Sequence, residues 1–232
     1  MRRSPVVTAA ATVWAMVLAM IVAAGCKDET APPPQNSQAA EVRAAARNVY
    51  TLLFEGTKAQ FLSCFYGTTS DLNAVGTMFD FNRTSMDYYD AFIKAYGLSA
   101  WPSSENGPSD PASEKKKRIE EIDTGELKID GNQATLTLTK AGSLKQNPLR
   151  LVKTGGSWKV QASSYRPPGE NGDKALAVMA KMAPIMAEYQ GAIGKPGIKP
   201  EDITYELRRA ANEQVFGKTY TEPHRFDINK IK

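Results

Sequence analysis

An α+β fold is expected from three features of the sequence. Apolar residues alternate at period two between Gly125 and Ala162. Helical apolar spacing runs from Ala39 to Tyr96, and a second helical stretch follows Gly169. Helices, then strands, then helices predict N-terminal helices packed on a curved antiparallel sheet, with a helical extension behind it.

The chain of 232 residues begins with a processing signal. Met1-Arg2-Arg3 is a basic start, and Val6 to Ala24 is apolar except for Thr8 and Thr12. Ala23, Ala24 and Gly25 are small and lead to Cys26. That order describes a secretory signal peptide over residues 1–25. The cysteine at the cut resembles the lipobox of bacterial lipoproteins, with Ala23 in the place of the usual leucine. The resemblance implies lipidation of Cys26, and hence a membrane as partner. It places the folded part in the cell envelope, facing periplasm or exterior. Lys27 is not the aspartate that favours inner-membrane retention in such proteins, so an outer membrane is favoured in a Gram-negative host. Two other readings stay open. The run is near the ~20 residues that span a bilayer, so it could remain as an anchor. Cys26 could also be incidental to a plain secretory leader.

Residues 26–38 read as a tether. Pro32-Pro33-Pro34 favours an extended chain of ~3.1 Å per residue, which would hold the domain off the lipid surface. With Arg2 and Arg3 removed, 27 basic residues face 25 acidic ones. So small an excess gives no case for nucleic acid as a partner. The cysteines are Cys26 and Cys64, so a lipidated Cys26 leaves no disulfide framework. One histidine, His224, rules out a histidine- and cysteine-rich metal site; a carboxylate-only site stays open without support, and no cofactor is expected.

Residues 39–164 carry the expected domain. Val42, Ala46, Val49 and Leu53 give the first helix, 39–54, one apolar face. Gly56 interrupts it, and Thr57 can cap a short helix from Lys58 to Tyr66. Cys64 reads there as a small buried hydrophobe, since no histidine is near in sequence to activate it. Asp71 to Arg83 reads as irregular or weakly helical, and Thr84 to Tyr96 as a third helix ended by Gly97. Ser99 to Ser113 is a Ser-, Pro- and Gly-rich loop, and Glu114 to Glu121 a solvated charged stretch. A strand is expected over Arg118 to Ile122. Strands follow around Leu127 and Ile129, then Ala134, Leu136 and Leu138, then 149–153, then Trp158, Val160 and Ala162. Asp130-Gly131-Asn132 and Thr154-Gly155-Gly156 mark the turns.

Residues 165–232 form the expected helical extension. Leu176, Met179, Met182, Met186, Tyr189 and Ile193 line a helix over 175–193 that Pro184 should kink or break. A last helix runs from Pro200 to Val215, ended by Gly217. The methionines read first as core, and otherwise as an adaptable binding surface.

The stretch "LLFEGTKAQFLSCFYG" looks like the paired opening helices of the nuclear transport factor 2-like superfamily. "GELKIDGNQATLTLT" and "PLRLVKTGGSWKVQAS" are similar to its closing hairpins. The resemblance covers Ala39 to Ser164 and implies a cystatin-like cone around an apolar pocket. Asp87, Tyr89, Trp101 and Trp158 are the candidate pocket residues. The superfamily includes isomerase-like and dehydratase-like enzymes beside many non-catalytic domains, so the fold does not choose between them. An isomerase would need a carboxylate base and an acidic donor facing each other, and the types at hand are Asp80, Asp87, Asp90, Tyr88 and Tyr89. His224 lies outside the matched region, which argues against dehydratase-like chemistry. The leading expectation is a non-catalytic envelope domain that binds a small apolar ligand or a protein. The alternatives are an isomerase- or lyase-type enzyme with a pocket carboxylate, and a structural accessory of an envelope complex.

Overall fold

Short-range chemistry sets the first helices. A computed structural model describes residues 35–101, 110–138, 148–167 and 170–231. The expected leader, Cys26 and the Pro32–Pro34 run lie outside these residues. Helix α1 spans Gln35–Glu55, and its spaced Val42, Ala46 and Val49 are fully buried. Thr57 caps α2, Lys58–Ser63, in a reciprocal box with Gln60: each side chain bonds the other's backbone N–H. Strand β1, Phe65–Tyr66, follows at once.

Helix α3, Thr69–Tyr96, is continuous over 28 residues. The irregular stretch expected at Asp71–Arg83 is therefore helical. Thr68 caps it, its hydroxyl accepting the Asp71 N–H at 3.2 Å. Val75 and Phe79, four apart, supply the buried stripe for that half. Buried Gly76 lets α2 cross closely, since a Cβ there would sit 3.1 Å from Cε of Lys58.

The strand expected over Arg118–Ile122 is instead part of helix α4, Pro111–Thr124. Asp110 accepts the Ser113 N–H at 2.9 Å, and Pro111 opens the first turn. The guanidinium of Arg43 on α1 bonds the carbonyls of Ile122 and, at 2.9 Å, Gly125. A cation thus satisfies the orphan carbonyls at the negative end of α4.

Strands β2 (Glu126–Asp130), β3 (Gln133–Thr137), β4 (Leu149–Thr154) and β5 (Ser157–Gln161) form an antiparallel meander, with the expected turns at Gly131 and Gly155-Gly156. The sheet order is β1-β5-β4-β3-β2, and β1 pairs β5 in parallel. The sheet is therefore mixed, not purely antiparallel, because the chain reaches β1 straight from α2 and lies beside β5 in the same direction. The helical turn α5, Ala162–Tyr165, leads to α6, Glu170–Gln190, and then α7, Pro200–Gln214. Helix α6 runs through Pro184 without a break. Ala180 and Pro184 both lie on its exposed side, where the carbonyl that proline leaves unbonded can meet water.

Two apolar cores result. The first joins Val42, Val49, Phe61, Val75, Phe79 and Ile122 of the helices to Leu136, Leu151 and Val160 of one sheet face. The second joins Tyr88 and Phe92 of α3 to Ile185, Tyr189, Ile203 and Ala210 of α6 and α7. Helix α3 contributes to both.

Candidate functional site

A groove of about 630 Å³ opens where α1, α3, α4, α5 and α6 meet beside β4. Its wall is apolar along Leu53, Phe54, Met78, Leu149, Ala175 and Met179. Its polar end holds Tyr50, Glu114, Arg118 and Tyr165, with Arg166 farther along.

Aromatic packing fixes Tyr165. Its ring meets Phe65 at 5.0 Å, Phe61 at 6.0 Å and Tyr50 at 6.2 Å between centroids. Burial pushes the Tyr50 phenol up to about 12 and the Tyr165 phenol well above its ordinary value. Both are O–H donors across the neutral range. Neither hydroxyl has a hydrogen-bond partner among the described residues.

Arg118 sits between two carboxylates. Its Nε meets Glu114 Oε1 and its Nη1 meets Glu121 Oε2, each at 2.9 Å. Burial disfavours the guanidinium charge, but Tyr50, Glu114 and Glu121 outweigh it and raise the Arg118 pKa. Glu121 is 4% exposed, and its other oxygen, Oε1, has no partner among the described residues. Arg166 is arranged alike, 2.7 Å from Asp173 and 3.4 Å from Asp71. Gly172 permits the close approach of α6 to Pro167 at the groove wall: a Cβ there would stand 2.1 Å from the Pro167 carbonyl oxygen.

The residues expected to share one pocket are not together. Asp87 is exposed on α3, and its backbone carbonyl accepts from Gln190 Nε2 at 3.3 Å. Tyr89 and Trp101 do meet, with ring centroids at 5.0 Å, but Trp101 packs there on Tyr88 and Phe92 of the second core. Trp158 lies in the first core, and its indole N–H donates to Glu41 at 3.2 Å. Lys153, 2.9 Å from the same carboxylate, holds Glu41 below its ordinary pKa, against the opposing effect of burial. The reason for the scatter is the length of α3, which carries Tyr89 away from the sheet that holds Trp158.

The other acids considered for catalysis face outward too. Asp90 is exposed, and Asp80 pairs with Lys58 at 2.5 Å. Cys64 is half-buried, and burial raises its thiol pKa despite a hydrogen bond from Asn48 Nδ2 at 3.3 Å, which is the opposite of what activates a thiol. His224 meets buried Glu206 at 2.9 Å, away from the groove. Met179 lines the groove, whereas Met186 packs on the second core.

Sequence reasoning missed Tyr50, Arg118 and Tyr165. Tyr50 sits among the apolar residues of α1, and Arg118 closes a basic run that looks like solvated surface. A signal for α4 existed: Asp110-Pro111, a capping residue followed by proline at the first helical position. Reading it would have placed Arg118 one turn before Ile122 on a helix with a buried side. A smaller cleft of about 430 Å³ lies by Tyr205, Arg208 and Arg225, near the N-terminus of α7. Among the described residues no helix is long and apolar enough to cross a membrane, and no three metal-ligating side chains group together. The chain matches no protein-family model, no curated protein and no solved structure.

Proposed function

We propose that the protein is a lipid-anchored domain of the cell envelope that binds a small apolar molecule in the groove between α1, α3, α4 and α6, without catalysing a reaction. The observation that carries this is the groove itself. Its volume of about 630 Å³ is in the range of small-ligand sites, and most of its wall is aliphatic, aromatic or thioether. Helices covering one face of the sheet are also what the nuclear transport factor 2-like cone would require. Glu114 is the carboxylate on the wall, and its pairing with Arg118 suits a structural role better than that of a general base. Cys26 supplies the anchor and 27–38 the spacer in this reading.

Native mass spectrometry of the full chain recovered from its own membranes tests the proposal. A small molecule should be retained, and Ala175→Trp, which fills the groove, should release it. Equal retention by that variant would place the ligand elsewhere. A co-purified protein without a small molecule would favour a protein partner. Cys26→Ser should leave an unprocessed precursor, and a variant of normal mature mass would overturn the anchor.

A further inference from the structure

The two ends of the groove differ in chemistry, and the polar end selects. Three donors line that end and have no acceptor among the described residues: the hydroxyls of Tyr50 and Tyr165, and Nη2 of Arg118. The Tyr50 and Tyr165 rings stand 6.2 Å apart between centroids, and Arg118 lines the same groove beside them. These donors are open to water, and a ligand that displaces that water must offer oxygen lone pairs in its place. An arginine in such a place would usually suggest a carboxylate or phosphate. Here that choice is opposed, because Glu114 and Glu121 already occupy two edges of the guanidinium. The triad carries one net negative charge. The unpartnered oxygen of buried Glu121 adds to the negative potential behind it. Arg166 with Asp71 and Asp173 repeats the balance farther along. An anionic head would meet like charge at both places, and in a partly desolvated site that repulsion is weakly screened. An ammonium head would be drawn by that potential, but it has no lone pair to offer and would leave all three donors unpaired.

We propose that the groove takes an uncharged lipid whose ester or ketone carbonyl accepts from Tyr50, Tyr165 and Arg118, while its apolar chain lies along Leu53, Phe54, Met78 and Met179. The inference rests on the groove reading proposed above and adds the class of ligand. It differs from a general apolar site in that the head must be neutral and must offer an acceptor.

Photoaffinity labelling of the full-length protein in phosphatidylcholine vesicles tests it. Three probes carry the same diazirine-bearing acyl chain: a monoacylglycerol, the free fatty acid and the corresponding alkylamine. Labelled peptides are located by mass spectrometry. The monoacylglycerol should label peptides containing Phe54, Met78 or Met179 about tenfold more than either charged probe. Tyr165→Phe and Tyr50→Phe, which keep the rings, should each lower that labelling about three- to tenfold, with the melting temperature followed in parallel to show that the fold is intact. Equal labelling by neutral and charged probes would overturn the neutral-head inference while leaving the groove reading standing. So would unchanged labelling in both folded phenylalanine variants, or stronger labelling by a charged probe. Labelling absent from the groove peptides with every probe would overturn both.

Discussion

Glu206 on α7 is 1% exposed, yet both of its oxygens are engaged. Oε2 meets His224 Nδ1 at 2.9 Å, and Oε1 accepts the Arg225 backbone N–H at 2.5 Å. The same tail is held by Tyr205, whose hydroxyl donates to Glu222 at 2.9 Å, and by the Arg225 guanidinium stacked 4.2 Å from the Tyr205 ring. Glu206→Ala removes the acceptor and strands the Arg225 N–H, for a loss of ~1–3 kcal/mol. At about 2–4 °C per kcal/mol for a chain of this size, thermal melting should show a drop of several degrees. A variant that melts with the parent would mean the tail is not fastened by this residue. At Tyr50 the sign is set by proton binding. Its pKa rises from 10.0 unfolded to about 12 folded, because burial penalises the phenolate. The stabilisation is therefore full below pH 10 and is lost as pH climbs through 12, up to ~3 kcal/mol in all. Urea titrations should show Tyr50→Phe losing less stability than the parent between pH 10 and 12. Equal losses would remove Tyr50 as a source of the alkaline sensitivity.

At the scale of elements, side chains from neighbouring helices complete each other's ends. Arg43 bonds carbonyls at the end of α4, and Arg83 of α3 donates to the Phe54 carbonyl near the end of α1. Arg83→Met keeps the aliphatic stem but loses that bond, and a destabilisation of ~0.5–1.5 kcal/mol in urea titration is expected. Gly172 is a second junction. Alanine there would be forced against the Pro167 carbonyl, so the first turn of α6 must shift, for ~1–3 kcal/mol. The same shift should weaken ligand retention, because both residues line the groove. Retention equal to the parent's would show that the groove tolerates movement of α6. Legibility at this scale followed local chemistry. The Thr57 cap, the glycine turns of the meander and the Pro200 start could all be read in the sequence, since each is decided within a few residues. The first half of α3 was not, because Val75 and Phe79 stand among polar residues and Gly76, and the helix is held by what packs on it. Strand β1 is two residues long and leaves no period to read. The groove was hidden for the same reason: its donors come from three separate helices, and only tertiary packing brings them together.

Over the described unit from Gln38 onward, α3 supplies buried residues to both cores, which predicts that they melt together. At ~1.5 Å per residue its 28 residues reach about 42 Å, and the stretch from Val75 in the first core to Phe92 in the second covers about 26 Å of that. A helix cannot melt at one end without exposing the apolar stripe that the other core needs nearby, so loss in one core should propagate. Each core has its own reporter: Trp158 in the first, Trp101 packed on the second. Phe92 is fully buried, and Phe92→Ala should cost ~3–5 kcal/mol through lost burial and a cavity. The expected result is that fluorescence melts of Trp101→Phe and Trp158→Phe versions of the chain, each also carrying Trp14→Phe, share one midpoint. Adding Phe92→Ala should lower both midpoints equally, although Trp158 lies in the other core. If the Trp101 signal melted first while Trp158 kept its parent midpoint, the cores would be independent. The α6 and α7 helices could then loosen while the sheet stayed folded. Because α6 supplies one wall of the groove, that outcome would make ligand binding depend on the second core, and Phe92→Ala would release the ligand before the sheet unfolds. Under coincident melting, a ligand bound in the groove as proposed should raise both tryptophan midpoints together.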